Sequence, residues 1–274
     1  MIFNMGGEQK QSLAKISEDI KSYIEYLREN DVTEVVSFAG KQKEKNAGPA
    51  CPGASPAAGD TPGRSETSNA LEQNSLPPKA ELKSIADKIA SCAKCSLHEK
   101  RTKTVPGQGN NSPEILFIGE GPGEDEDLQG LAFVGRAGQL LTRLILRMGF
   151  TRDEVFIANI VKCRPPNNRK PLPEEMNACR PYLERQIAVL RPKVIVLLGA
   201  SALEGLIPSE APGRTISRVR GKWLEYGGIP AMPTFHPSYL LRNQSAMWDV
   251  WNDMQAVLKH LGRVAPARDK QASK

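Results

Sequence analysis

Ile115, Leu116, Phe117 and Ile118 form an unbroken run of strand formers, and Gly119, Gly121, Pro122 and Gly123 cut it off within five residues. This pattern predicts a buried strand ending in a tight turn. Such turns lie at the carboxyl ends of strands in open α/β sheets, where ligands usually bind. The turn is also acidic, carrying Glu120, Glu124, Asp125, Glu126 and Asp127. Part of that acidity suits a helix start, because carboxylates are favourable near a helix amino end. The glycine spacing is not that of a dinucleotide or Walker loop and no Lys-Ser/Thr pair follows, which argues against binding of a nucleoside triphosphate.

The flanking sequence supplies the rest of such a sheet. VFIANIV (155–161), KVIVLLG (193–199) and IPAMPTFHPS (229–238) read as further strands. Between and around them lie helical patterns. Pro78 opens one through Leu82, Ile85 and Ile89; residues 135–150 form another with Leu140, Leu141, Leu144, Ile145 and Met148 inward; 173–190 starts at Pro173; and 247–263 closes the fold. Strands alternating with helices predict parallel pairing and right-handed crossovers, hence a small sheet between two helical layers.

With 274 residues and 39% hydrophobic content, the chain can bury one substantial core. Residues 79–263 are expected to form that domain. Residues 1–40 carry an amphipathic helical pattern, with Leu13, Ile16, Ile20, Ile24 and Leu27 on one face. A repair or replication partner is one candidate for what it docks on, though no motif marks one. Residues 41–78, rich in Gly, Ala, Pro and Ser, predict a disordered linker, and 264–274 a frayed tail. No apolar run approaches the roughly 20 residues of a membrane span, and the start lacks a secretory signal. A cytoplasmic monomer is the expectation. The formal charge of +6 tilts towards a polyanionic partner.

In a reducing compartment, the five cysteines are better read as metal ligands or redox groups than as disulfides. Cys51 sits within the linker and is set aside. Cys92 and Cys95, separated by two residues at the end of the first helix of the domain, are matched by Cys163 and Cys179, which only folding can bring near them. Four thiolates suit zinc or an iron-sulfur cluster. The wide split of the second pair favours a single 4Fe-4S cluster with a structural role.

GEGPGEDED (119–127), the four cysteines and HPSYLLR (236–242) together resemble the family 4 uracil-DNA glycosylases, the iron-sulfur branch of that superfamily. The likeness runs from about Ile85 to Leu261. It implies a three-layer α/β/α sandwich with a central four-stranded parallel sheet, a 4Fe-4S cluster on Cys92, Cys95, Cys163 and Cys179, and hydrolytic release of uracil from single- or double-stranded DNA in base excision repair. On this resemblance Glu120 and Gly121 line the pocket. Phe133 stacks on the flipped base, Asn159 reads its edge, and His236 stands near uracil O2. Glu120 or Asp127 is expected to place the attacking water and Glu126 to crowd out the thymine methyl. The cross-linking relatives carry a histidine in the loop that here reads CRPPNNRKPLP, so covalent capture of DNA is not expected.

Arg164, Arg169 and Lys170, with Arg214, Arg218, Arg220 and Lys222, are candidates for phosphate contacts. Leu240, Leu241 and Arg242 are candidates to fill the gap left by an extruded base. The competing expectation is a non-catalytic iron-sulfur module of the same fold that binds DNA without excising a base.

Overall fold

A computed structural model describes residues 77–210, 213 and 215–266. The amphipathic pattern at 1–40, the linker up to residue 76, Cys51, Arg214 and the tail from 267 lie outside the described residues.

Ile115–Gly119 (β2), Phe156–Asn159 (β3), Val194–Leu198 (β4) and Ile229–Thr234 (β6) form the parallel centre of a six-stranded sheet of order β1-β3-β2-β4-β6-β5. Two short strands, Gln108–Gly109 (β1) and Leu224–Tyr226 (β5), pair antiparallel at the edges. The four parallel strands are those the sequence pattern predicts. The edge strands are additions, too short to carry a period-2 signal.

β2, β3 and β4 are buried along their whole length, which is why they read as continuous apolar runs. Alternate side chains enter opposite layers. Ile115, Phe117, Ile157, Val194, Val196 and Met232 meet Arg136–Arg147 (α3) and Met247–His260 (α8) through Leu141, Ile145, Trp251, Met254 and Val257. Leu116, Ile118, Ala158, Ile195 and Leu197 meet Pro78–Ala90 (α1), Pro173–Leu190 (α4) and Ala200–Leu206 (α5) through Ile85, Ile89, Leu183, Ile187 and Leu203. The result is a three-layer α/β/α sandwich. Fully burying one such Leu or Ile contributes about 1.5–3 kcal/mol, so the two cores fix the register of the strands. Leu140, expected inward, packs only partly buried at the edge of its core.

Register and order place the site. The parallel part of the sheet starts at β2, goes to β3 on one side, then crosses to β4 on the other, so β2 marks a switch in direction. Gly119 pairs with Asn159, and Leu198 with Thr234. The carboxyl ends of all four parallel strands are therefore level, and the residues following them share one edge of the sheet.

Candidate active site and cysteine cradle

An open cavity at that edge is lined by Glu120, Gly121, Glu126, Phe133, Asn159 and His236, together with Pro165, Asn168, Arg169 and Ser238. Its volume of ≈ 260 Å³ is that of a small planar ligand with some water. The side chains expected to recognise a base thus converge from three strand ends and from the loop between Glu124–Gln129 (α2) and α3.

Gly119 makes that convergence possible. A Cβ here would lie 2.4 Å from Phe133 Cζ and 2.6 Å from Asn159 Oδ1, so the ring and the amide meet only over a residue without a side chain. Asn159 is buried at the end of β3, and its Oδ1 has no hydrogen-bond partner. An orphaned buried carbonyl oxygen costs about 1–3 kcal/mol, a cost that a donor on a bound ligand relieves.

His236 caps Pro237–Leu240 (α7). Its Nδ1 accepts from the Ser238 N–H at 3.1 Å and lies 2.8 Å from Ser238 Oγ. With Nδ1 accepting, the proton of the neutral ring sits on Nε2, which leaves that nitrogen as a donor. Burial, followed by the nearby charge of Arg242, pulls the His236 pKa down to about 4, so the ring is neutral at physiological pH. The Phe133 and His236 ring centroids are 5.7 Å apart.

Phe133 itself has a left-handed backbone, with φ of 53°. Few bulky side chains tolerate that region, at a cost of about 1–3 kcal/mol, and it marks sites where the surroundings dictate the conformation. Gly138 in the first turn of α3 allows it, since a Cβ there would lie 2.0 Å from the Phe133 carbonyl carbon.

The acids divide by partner. Glu120 Oε2 accepts from Ser201 Oγ at 2.5 Å and faces the cavity. Ser201, buried just beyond β4, is a residue that sequence reasoning missed; its only signal is its place after a strand end. Glu126 lines the cavity, but its carboxylate is engaged by backbone: Oε1 accepts from Val134 N and Gly135 N, and Oε2 from Gly123 N. It holds the turn closed, which is a different task from the expected crowding of a methyl. Asp127 is displaced from the expected role altogether. It is buried away from the cavity, and its carboxylate accepts from Thr102 N and Lys103 N. Helical spacing explains this, because adjacent residues of α2 face in different directions.

The basic candidates are also sorted by partner. Arg169 borders the cavity and pairs with buried Glu175 at 2.6 Å. Arg164 reaches Glu124 at 3.4 Å, and Lys170 reaches Glu204 at 2.5 Å. Arg220 belongs to the scaffold: it is largely buried, bonded to Asp253 and stacked over Phe235. Leu240 is a core residue, whereas Leu241, Tyr239 and Arg242 beside it are exposed. A wedge on this loop would therefore begin at Leu241.

A second cavity is lined by Cys92, Cys95, Cys163 and Cys179, with Arg101, Lys162 and Tyr182. α1 delivers the first two cysteines, the segment after β3 the third and α4 the fourth. Arg101 Nη1 donates to Cys163 Sγ at 3.2 Å and to the Cys92 carbonyl at 2.8 Å. Buried Lys162 donates to the Asn159 carbonyl at 2.9 Å and to Gln186 Oε1 at 2.8 Å. Burial pushes the Cys179 thiol up to about 11 and pulls Lys162 down to about 8. Among the described residues, no three His, Cys, Asp or Glu converge closely enough to hold a single metal ion. His98 also lines this cavity, its Nδ1 2.8 Å from the Cys95 carbonyl oxygen; four cysteines with two cations at the wall have the donor set of a thiolate-bound cluster.

The profile of the Uracil DNA glycosylase superfamily matches residues 106–256. The type-4 uracil-DNA glycosylase of Thermotoga maritima is 50% identical over 162 residues, covering 59% of this chain and 83% of that protein. The type-4 enzyme of Saccharolobus solfataricus is 50% identical over 165 residues, covering 58% and 76%. That of Archaeoglobus fulgidus is 42% identical over 190 residues, covering 68% and 96%. The profile match covers all four parallel strands and, with the cavity at their ends, these matches show that the chain belongs to the type-4 uracil-DNA glycosylases.

Proposed function

We propose that the protein hydrolyses the bond between uracil and deoxyribose in DNA, releasing free uracil and leaving an abasic site as the first step of base excision repair. The observation that carries this reading is the unpartnered Oδ1 of Asn159 beside the Phe133 ring. An extruded uracil lies against the ring, its N3–H donates to Oδ1, and the Asn159 amide N–H donates to O4. Cytosine presents the reverse pattern along that edge and leaves buried groups unpaired. Extrusion costs a few kcal/mol and is easiest from single strands and mispairs.

Cleavage sends the electron pair of the C1′–N1 bond onto uracil and leaves positive charge on the sugar. The His236 Nε2–H donates to O2 and stabilises the departing anion without transferring its proton. Glu120, oriented by Ser201, stabilises the sugar cation and accepts the proton of the water that adds to C1′. The released uracil anion takes its proton from solvent.

Cys92, Cys95, Cys163 and Cys179 would hold one 4Fe-4S cluster, a choice supported by the four cysteines that line one cavity. When bound, that group cross-links α1, the Cys163 segment and α4, and contributes no reacting atom. Arg169, which lines the cavity, and Leu241 and Arg242, exposed on the loop that follows His236, are assigned to DNA, the two arginines to phosphates and Leu241 to the vacated stack. A cytoplasmic monomer is part of the same reading.

The test is a single-stranded oligonucleotide with one uracil, incubated with the protein and then heated in alkali. Breakage at the uracil supports the enzyme. An intact strand with protein bound supports the non-catalytic module.

A further inference from the structure

The ring that would carry the base is attached to a backbone that cannot hold itself. Phe133 is left-handed at φ 53°, and the peptides around it run in a loop between two helices. Arg152, which precedes β3 and is not among the residues lining the cavity, meets this loop with a half-buried guanidinium. Nη1 donates to the Phe133 carbonyl at 3.1 Å and to Thr142 Oγ1 at 2.9 Å, and Nη2 donates to the Ala132 carbonyl at 2.7 Å. Thr142 donates in turn to the Gly138 carbonyl at 3.0 Å, which ties the same guanidinium to α3.

Glu126 completes the arrangement from the other side. Its Oε1 accepts from Val134 N at 2.8 Å and from Gly135 N at 2.9 Å. Two successive carbonyls are thus held by a cation and the two following N–H groups by an anion. Arginine is suited to the first task because its planar fork can serve three acceptors at once.

We infer that Arg152 is a positioning residue for base recognition: with Glu126 it clamps the strained Ala132–Gly135 segment, so that the Phe133 ring stands ready over Gly119 before DNA arrives. The proposal rests on the reading of Phe133 as the surface that stacks on uracil. A preorganised ring avoids ordering the loop when the base binds, and loss of the clamp is felt as weaker capture of the extruded base.

The test is a double-mutant cycle of Arg152→Met and Phe133→Ala on a single-stranded uracil oligonucleotide, with thermal unfolding of each protein measured alongside. Arg152→Met is expected to lower kcat/KM about tenfold, Phe133→Ala by at least as much, and the double variant no further than Phe133→Ala alone. Arg152→Lys, which keeps the charge but cannot span three acceptors, is carried through the same cycle; if the Met variant does not fold, its result decides. Equal losses from replacing Arg152 with and without the Phe133 ring, or no loss at all, overturn the clamp while leaving base stacking intact. Full activity of Phe133→Ala overturns the stacking reading itself, and the clamp with it.

Discussion

Glycine 119 and histidine 236 show how single positions set the chemistry. Gly119→Ala inserts a methyl group where the Phe133 ring and the Asn159 amide already meet. Displacing both by a fraction of an ångström to 1 Å is expected to lower kcat/KM for uracil excision about 100-fold; near wild-type activity in that variant would show that the two groups need not touch. For His236, burial holds the folded-state pKa near 4, below its ordinary value. The unfolded chain therefore takes up a proton at a pH where the folded one does not. The associated stability is complete above about pH 6.5 and is lost as pH falls towards 4. Excision should accordingly persist through pH 5.5 and decline only near 4, as read from single-turnover rates. An acid limb near 6.5 that disappears in His236→Gln would contradict the neutral assignment. His236 was named from the sequence because its motif is contiguous, whereas Gly119 was read there only as the end of a strand, since its contact with Phe133 and Asn159 exists only in the fold. The sequence did not reveal Ser201 or Arg152, whose partners Glu120, Ala132 and Phe133 are 81, 20 and 19 residues away.

Among the elements, α2 contributes more to shape than to catalysis. Four consecutive acids open it, and composition alone gives them all equal claim to the cavity. The helix turns Glu126 towards the Phe133 loop and Asp127 towards the backbone at 102–103. Asp127→Ala leaves two backbone donors without their acceptor and is expected to cost about 1–3 kcal/mol of stability. Its kcat, measured below the unfolding transition, should remain within a few-fold of wild type. A loss comparable to that of Glu120→Gln, with unchanged stability, would return Asp127 to the reaction. The parallel strands and long helices were legible because each carries a strong period or an unbroken apolar run. β1 and β5 were not, since strands of two and three residues have no pattern to read.

Across the whole molecule, the layers bring together residues that the chain keeps far apart. α1 packs on α4, with Arg185 bonded to Glu81 at 2.6 Å, which brings Cys92 and Cys95 to the cavity that Cys179 of α4 and Cys163 of the segment after β3 also line. The cysteine spacing was visible in sequence, but the cradle required the fold. On the cluster reading the purified protein carries iron and absorbs broadly in the visible, and Cys179→Ser is expected to abolish both and to lower the thermal midpoint. Retained iron, or zinc in the wild type, would refute the cluster assignment. Lys162, bonded to the Asn159 carbonyl, connects the wall of this cradle to the end of β3 that borders the other cavity. The claim on which the account depends is that Asn159 chooses the base, and it is tested most directly by comparing uracil and cytosine excision in Asn159→Asp. A carboxylate can no longer donate to uracil O4 but can accept from the cytosine amino group, so the preference for uracil should shrink at least tenfold. Undiminished selectivity, at whatever overall rate, would mean that the edge of the base is read elsewhere.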